Sequence, residues 1–459
     1  MIKKILGWAI YLCLVTTTTF AQDKITLRID SLMRAVSEIG IFNGNVLVKQ
    51  HGKKVYEQSF GYADGARTKK LTINHMFDIG SISKEFNGTA IMLLKEKGKL
   101  NLEDKLSKFI KDLPRWTDSI KIKHLLNYTS GLPESGVFSD EALLTELKQL
   151  KSLAFTPGKS YIYSYANVYL QRKVVEAISG MSYNDFVVKN LLKPLKMEHT
   201  IMDLSTEDPR MAKAFDGNFK ESTYLQQISG WPRTTVSDLE IWLGALDSYK
   251  ILSKESLKLL AVAFGDNESS LGSATFVNDE LTWHQHHGSN YNYEALITHD
   301  VEHGISIVLT TNSQQFKVNA ITRAIISILK NEPYIVPKKS LYLELREKVL
   351  ANFNDGLLFY RQVTENEADK YDLSFEFGDL INTGKYLMRR KLYDDAIAIF
   401  QLGNTLNVKA TDFSYSYQLI AECYVKKQLP QLAIAYYRKS TEKDSTNLVA
   451  KGFLAELLK

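Results

Sequence analysis

Cysteine is scarce in this chain: Cys13 and Cys423 are the two among 459 residues. Cys13 lies in the apolar N-terminal stretch described below, so a processed chain would keep one cysteine and could form no intrachain disulfide. Charge of one sign is not in large excess either, because 57 Lys and Arg face 52 Asp and Glu. No stretch has the pattern of a nucleic-acid-binding motif. We therefore expect a globular protein with no nucleic-acid partner.

The chain also lacks an apolar run long enough to span a membrane comfortably. Its first 21 residues instead have the pattern of a secretory signal, with Lys3 and Lys4, an apolar stretch from Ile5 to Val15, and Thr19-Phe20-Ala21 at the cleavage positions. Loss of the two lysines would lower the net charge from +5 to +3, which indicates no particular charged partner. We predict export to the periplasm or beyond, with no membrane span after cleavage.

The stretch Phe77-Asp-Ile-Gly-Ser-Ile-Ser-Lys84 places a serine and a lysine three residues apart, before an apolar helical run. Positions i and i+3 share a helix face, so Ser81 and Lys84 can point into one cavity. A serine hydroxyl is a poor nucleophile until a base takes its proton, and a lysine is such a base when burial lowers its pKa. The pair predicts a nucleophile with its base, although a match to Ser-x-x-Lys arises by chance about once in a chain of this length.

Tyrosines that could assist this pair follow the turn signal Pro157-Gly158. Tyr163, Tyr165 and Asn167 come before a helical run from Val168. A tyrosine beside a cation can transfer protons, whereas a tyrosine pair with no such neighbour more often simply packs.

Histidines form a second polar group, in the stretch His284-Gln-His-His-Gly-Ser289. Strand alternation puts His286 and Gly288 on one face, and a strand glycine indicates close approach of another backbone or of a ligand. A metal site from His284 and His286 is the alternative interpretation, but no carboxylate with ligand spacing lies nearby. We expect no metal and no cofactor.

In order and spacing, these landmarks resemble the serine β-lactamase and penicillin-binding protein superfamily, over residues from about 40 to 330. The nearest branch contains class C β-lactamases, D-alanyl-D-alanine carboxypeptidases and esterases. The residues that carry the resemblance are Phe77 to Lys84 for the nucleophile motif, Tyr128-Thr-Ser-Gly-Leu-Pro133 for the His-Thr-Ser-Gly-Leu-Pro turn, Tyr163 for the Tyr-x-Asn motif, and His286-His-Gly288 for the Lys/His-x-Gly strand. It implies an α+β fold, an antiparallel sheet flanked by helices, for residues 22–335.

The resemblance also implies a role for each matching residue. Ser81 would be acylated, Lys84 and Tyr163 would transfer its proton, and His286 would support the tyrosine and meet a substrate carboxylate. The backbone N–H groups of Ser81 and Ser289, beside Gly288, would form the oxyanion hole.

Two departures from the family pattern concern substrate binding. A gapless alignment puts Tyr165 where the family has its asparagine, whereas a shifted alignment restores Tyr165-Ala-Asn167 at the cost of a two-residue insertion. We favour the gapless alignment, which Pro157-Gly158 and the following helix both fit. His286 also stands where many relatives have lysine, and a histidine is mostly neutral near pH 7. Both departures favour an ester or peptide substrate over a β-lactam.

The region after Pro333 and Pro337 has a helical pattern, and we predict an all-α helical-repeat domain over residues 338–459. Its residues recur after 37 positions: Leu380, Gly384, Leu387, Ala396 and Phe400 correspond to Tyr417, Ala421, Tyr424, Ala433 and Tyr437. This resembles tetratricopeptide helix pairs, which offer a concave surface to a peptide or protein. The alternative is an appendage that only stabilises the first domain.

Three functional hypotheses follow. The first is an exported serine hydrolase that acts on an ester, amide or β-lactam, taking a small-molecule or peptide acyl substrate through an acyl-enzyme on Ser81. The second is a non-catalytic protein of the same fold that binds cell-wall fragments or a protein. The third is a scaffold that works through its helical tail alone.

Overall fold

The computed structural model describes residues 24–137, 139–223 and 228–458. The predicted signal segment, residues 1–21, lies outside the described residues. The chain divides into two compact units, the first ending at Val336 and the second beginning at Pro337. Across the described ranges, no helix is both long and apolar enough to cross a membrane.

The first unit is built on a six-stranded sheet. The strands of the whole unit are β1 (Gly44–Gln50), β2 (Lys53–Phe60), β3 (Phe77–Asp78), β4 (Ile201–Met202), β5 (Pro232–Thr234), β6 (Ser273–Val277), β7 (Glu280–Asn290), β8 (Tyr293–Asp300) and β9 (Ile305–Thr311). The large sheet has the order β2-β1-β9-β8-β7-β6 with every neighbouring pair antiparallel, and β3, β5 and β4 form a small separate sheet. Alternation of apolar and polar residues around His51-Gly52 predicts a β-hairpin, and the sequence also predicts strands over Glu294 to Thr298 and Ile305 to Thr310. The β1–β2 hairpin and the strands β8 and β9 confirm these predictions.

Helices cover both faces of this sheet. They are α1 (residues 24–38), α2 (Ser83–Glu96), α3 (Ile122–Leu126), α4 (Asp140–Gln149), α5 (Tyr165–Ser179), α6 (Tyr183–Val187), α7 (Lys193–Leu195), α8 (Val236–Asp247), α9 (Lys254–Leu260) and α10 (Val318–Leu329).

Alternation along the strands explains the layering. Val46 and Val48 of β1 face one apolar cluster with α1 and α10, whereas Leu47 faces a larger cluster with α2, α5 and α8. On β8, Leu296 belongs to the first cluster and Ile297 to the second. A sheet apolar on both faces needs a helical layer on each side. This arrangement confirms the predicted sandwich of helices around an antiparallel sheet.

The second unit is mainly helical. Its elements are β10 (Lys339–Ser340), α11 (Leu341–Ala351), α12 (Phe353–Asn366), β11 (Tyr371–Asp372), α13 (Glu376–Arg389), α14 (Tyr393–Gly403), α15 (Ala410–Lys426), α16 (Pro430–Lys443) and α17 (Leu448–Leu457). The two short strands pair in parallel.

Small residues lie where consecutive helices of this unit meet. A Cβ on Gly384 of α13 would lie 2.2 Å from the ring of Phe400 on α14. Ala421 of α15 is buried in one cluster with Ala433 and Tyr437 of α16. These contacts join the residues that recur in the sequence, while the relationship to tetratricopeptide repeats stays a prediction.

Candidate active site

Ser81 lies in a single 3₁₀ turn, Gly80–Ile82, that leads directly into α2. Gly80 has a φ of +50°, in the left-handed region where a glycine is least strained. Its N–H donates to Oδ1 of Asp78 at 2.8 Å, and the Ser83 hydroxyl donates to its carbonyl at 2.7 Å. Asp78 is itself fully buried and paired with Arg233 at 3.2 Å. These contacts fix the turn that presents Ser81.

Two predicted residues, Lys84 and Tyr163, converge at the Ser81 hydroxyl. Its Oγ lies 2.8 Å from Nζ of Lys84 and 2.8 Å from the hydroxyl of Tyr163. The Lys84 ammonium also lies 4.7 Å from the centre of the Tyr163 ring. Lys84 is only 7% exposed, whereas Ser81 is partly open to solvent. A nucleophile, a buried amine and a phenol therefore share one hydrogen-bonded cluster.

Burial sets the protonation of this cluster. It lowers the pKa of Lys84 from 10.5 to about 8, against the opposing effect of the Glu268 and Asp78 charges. Burial, with Tyr128 and Glu268 adding to it, raises the pKa of Tyr163 well above 10. Near neutral pH the phenol keeps its proton, and Lys84 is the group that gives up a proton more readily.

The β7 backbone lies directly against the Ser81 turn. A Cβ on Gly288 would lie 1.9 Å from the carbonyl oxygen of Ile79 and 2.8 Å from the backbone nitrogen of Ser81. One on Gly80 would lie 2.3 Å from the backbone nitrogen of Ser289. Only glycine allows this approach, which brings the two predicted oxyanion-hole amides, of Ser81 and Ser289, onto adjacent segments.

Tyr165 and Asn167 take different positions from Tyr163. The Tyr165 hydroxyl donates to Oδ1 of Asp140 at 3.2 Å and accepts from Arg172, and its side chain lines a small cavity with Lys84. Asn167 is fully buried; its amide accepts from the Ser130 hydroxyl at 2.6 Å and donates to the Ser164 carbonyl at 3.1 Å. The phenol beside Ser81 is thus that of Tyr163, the residue at that place in the gapless alignment, while Asn167 helps to hold the Tyr128–Pro133 turn.

His286 is 1% exposed, and its Nδ1 lies 2.8 Å from Oε1 of Glu85. Its Nε2 is buried and has no hydrogen-bond partner within the described part of the chain. The predicted support of Tyr163 by His286 does not occur as a hydrogen bond between those two described residues. His286 is anchored from the α2 side instead.

Glu85, with Trp242 and Asp247, is the part of the site that sequence reasoning missed. Trp242 donates its Nε1 to Oε2 of Glu85 at 2.7 Å, and His284 bridges Oε1 of Glu85 at 3.1 Å and Oδ1 of Asp247 at 2.9 Å. His299 lies 2.7 Å from the other Asp247 oxygen. One sequence feature could have indicated Glu85: it is a charged residue within the apolar run of α2. No three His, Cys, Asp or Glu side chains in the described ranges converge to hold a metal ion, and His284 has a protein partner on each ring nitrogen.

Glu268 is the second residue that the sequence did not single out. It lies before β6, and its charge reaches both Lys84 and Tyr163, favouring the protonated form of each. An acidic residue in a polar loop carries no distinguishing sequence signal, so the geometry alone reveals it.

Comparison with known proteins adds a family relationship. A family model described as Beta-lactamase matches residues 29–330. Penicillin-binding protein 4* of Bacillus subtilis is 33% identical over 184 residues, which cover 38% of this chain and 40% of that protein. Protein flp of Staphylococcus aureus (strain MW2) is 27% identical over 322 residues, 62% of this chain and 63% of that protein. The chain therefore spans less than two thirds of the length of these relatives.

A solved structure shows the same fold. A class C β-lactamase superposes with a TM-score of 0.58 at 20% identity, and the match covers 68% of this chain and 96% of that one.

Proposed function

The chain belongs to the serine β-lactamase and penicillin-binding protein superfamily, and from this membership we propose that it is an exported serine hydrolase that cleaves an ester or amide through an acyl-enzyme on Ser81. The observation that carries the proposal is the Ser81 hydroxyl, held at 2.8 Å from both the Lys84 amine and the Tyr163 phenol. A nucleophile within hydrogen-bond reach of a buried base is the arrangement that acyl transfer requires.

Lys84 is the base in the first step. Its lowered pKa, about 8, leaves a part of the molecules with a neutral amine near pH 7. The Ser81 hydroxyl proton passes to that amine as Oγ bonds to the substrate carbonyl carbon, and the Ser81 and Ser289 amides would stabilise the oxyanion. The bond to the leaving group then breaks.

Tyr163 acts as a neutral phenol. Because its pKa lies well above 10, it does not serve as a phenolate base in the resting site. Its hydroxyl, 2.8 Å from Ser81, can donate a proton to the leaving alkoxide or amine and recover one from the Lys84 ammonium. Water then attacks the acyl carbon, the bond to Ser81 breaks, and the acid is released.

The wall of the site favours simple esters and amides over β-lactams. Where the family has an asparagine amide for the acyl side chain, this chain has Tyr165, whose hydroxyl is bound to Asp140 and Arg172. A tyrosine hydroxyl bound in this way cannot replace the asparagine amide as a hydrogen-bond partner for the side chain of a β-lactam. We expect faster turnover of p-nitrophenyl esters than of a penicillin.

The test is the intact mass of the protein after incubation with a fluorophosphonate and, separately, with a penicillin. We expect a mass gain for the wild type that disappears in Ser81→Ala and persists in the matched control Ser31→Ala, an exposed serine on α1. Folding of each variant is checked by thermal unfolding. Absence of any adduct on folded wild type would instead support a non-catalytic binding protein.

A further inference from the structure

A small cavity borders the Lys84 side chain. Its space is about that of a single water molecule. The residues that line it come from α2, from α5 and from the segment before β5. The hydroxyl, amine, amide and guanidinium groups of the lining belong to Ser83, Lys84, Asn87, Tyr165, Arg172 and Ser229.

Three of these groups lack a full set of hydrogen-bond partners among the residues described. Oδ1 of Asn87 and Nε of Arg172 are buried and have no partner, and Nζ of Lys84 has one, the Ser81 hydroxyl. Asn87 is 1% exposed, Arg172 3% and Lys84 7%, so bulk water does not supply the missing bonds. Leaving buried polar atoms unpaired is unfavourable, and in folded proteins most of them bind protein groups or ordered water.

The hydroxyl groups of the lining are already bound. The Ser83 hydroxyl donates to a backbone carbonyl of its own turn at 2.7 Å. The hydroxyls of Tyr165 and Ser229 donate to Asp140 at 3.2 and 2.7 Å. Asp140 also accepts from the two outer nitrogens of Arg172, at 3.1 and 2.8 Å. The unpaired groups are therefore Nε of Arg172, the Asn87 oxygen and the Lys84 amine.

The proposed role of Lys84 requires a further acceptor. A neutral amine has two N–H groups and one lone pair, and the lone pair must face Ser81 if the amine is to take the hydroxyl proton. Both N–H groups then point elsewhere, and burial keeps them from bulk solvent. The cavity is the space beside Lys84 into which one of them can donate.

A water molecule suits the three groups together, because it accepts and donates hydrogen bonds at once. Nζ of Lys84 and Nε of Arg172 are donors. Oδ1 of Asn87 is an acceptor, since the amide is oriented by the hydrogen bond of its Nδ2 to the Ser83 carbonyl at 2.9 Å. A water that binds all three atoms makes about three hydrogen bonds, as buried waters usually do. A halide ion would suit the two cationic side chains but would face the amide oxygen.

We propose that this cavity binds one water molecule between Nζ of Lys84, Oδ1 of Asn87 and Nε of Arg172, and that the water turns the Lys84 lone pair toward Ser81. Asn87 and Arg172 are then positioning residues that act through the water. The inference rests on the proposed function and deepens it, because it names what orients the base of the first step.

Other groups also act on Lys84, and the test holds them constant. The titratable or charged groups that face Lys84 are Tyr163, Asp78, Glu268 and Arg172. Of these, Glu268 and Asp78 favour the ammonium form. Asn87 is uncharged, so its exchange for another uncharged residue removes none of these charges.

The first test is the pH dependence of Ser81 adduct formation with a fluorophosphonate. Asn87→Leu removes the acceptor at similar size, so the ammonium loses a water-mediated hydrogen bond and the midpoint should move to lower pH by about one unit. The plateau rate should fall about tenfold, because the lone pair is no longer held toward Ser81. Asn87→Asp keeps an acceptor and adds a negative charge, so its midpoint should move to higher pH with a plateau near that of the wild type.

Asn190→Leu is the matched control. Asn190, between α6 and α7, donates its Nδ2 to the carbonyl four residues earlier at 2.9 Å, as Asn87 does, but it does not line the cavity. Its exchange should leave the midpoint and the plateau unchanged. Thermal unfolding of each variant separates loss of the fold from loss of reactivity.

The second test does not depend on catalysis or on a variant that folds. A high-resolution crystal structure of the wild type should show one water within hydrogen-bond distance of all three atoms. An empty cavity, or a chloride ion in place of the water, would overturn the inference. Midpoints that stay unchanged in both Asn87 variants, or that move in the same direction, would overturn it too, while the Ser81 adduct and the proposed function remain. If the wild type forms no Ser81 adduct, the proposed function fails, and the positioning role with it.

Discussion

The lowered pKa of Lys84 predicts a steep dependence of acylation on pH. If neutral Lys84 takes the Ser81 proton, the acylation rate follows the fraction of neutral amine, with a midpoint at a pH of about 8. Because the deprotonated fraction rises with pH, the rate should reach a plateau above the midpoint. At pH 7 it should be about a tenth of the plateau, and at pH 6 about a hundredth.

Glu268 provides the perturbation. Its negative charge stabilises the Lys84 ammonium and so raises the pKa of Lys84 against the lowering by burial. Glu268→Gln removes that charge, so the midpoint should move to lower pH and the rate at pH 6 should become a larger share of the plateau. Glu141→Gln, an exposed exchange on α4, should leave the midpoint unchanged.

The assay is the rate of Ser81 adduct formation with a fluorophosphonate, quenched in acid and read by intact mass. Thermal unfolding at each pH separates loss of structure from loss of reactivity. A flat profile, or a limb near the ordinary lysine pKa of about 10.4, would refute the assignment of Lys84 as a base tuned by burial. A midpoint that rises in Glu268→Gln would refute the electrostatic account.

Two further predictions concern stability. Lowering the Lys84 pKa from 10.5 to about 8 means that burying the ammonium costs about 3 kcal/mol of folding stability below pH 8, and this cost fades as pH rises toward 10.5. Lys84→Met should therefore raise Tm at pH 7 and raise it less at pH 10. The same variant should abolish acylation. Gly288→Ala should slow acylation at least tenfold and lower Tm, because its Cβ would meet the Ile79 carbonyl at 1.9 Å. The control Gly244→Ala in α8, where a Cβ would have nothing within 4 Å, should gain about 0.5–1 kcal/mol of stability. A Gly288→Ala variant with unchanged Tm and acylation rate would contradict the close packing of β7.

Local patterns in the sequence were sufficient for the β1–β2 hairpin and for the segments that hold Ser81, Lys84 and Gly288. The hairpin around His51-Gly52 follows from strand alternation on either side of a turn, and the helical spacing of Ser81 and Lys84 places both side chains together, as found. Gly288 in a strand pattern indicated a close approach, and the Ser81 turn is what approaches it. Each of these depends on contacts that a short stretch of chain largely determines.

The missed residues depend on contacts between distant segments. Glu85 and Asp247 come from two helices and meet at His284 of β7, and nothing local shows that these two carboxylates are buried beside that histidine. Arg172, two turns further along α5, and Asp140 of α4 likewise bind the Tyr165 hydroxyl, which the sequence motif alone could not reveal. Ion pairs between residues far apart in the sequence are therefore the part of this site that could not be predicted from the sequence.

One turn of α2 imposes opposite charge requirements on two sides of the site. Under the proposed function Lys84 must lose its proton to act on Ser81, and burial lowers its pKa toward that state, although the Glu268 and Asp78 charges oppose the change. Its neighbour Glu85 points toward β7 and contacts His284 and His286; although burial opposes it, the charges of Asp247 and Glu85 raise the pKa of His284 well above 6.5. Successive helix residues point about 100° apart. One rigid helix can therefore hold a lysine whose pKa is lowered and, next to it, a carboxylate that raises the pKa of His284. His286 in the Lys/His-x-Gly strand therefore contacts the residue that follows Lys84, and neither position can be interpreted alone.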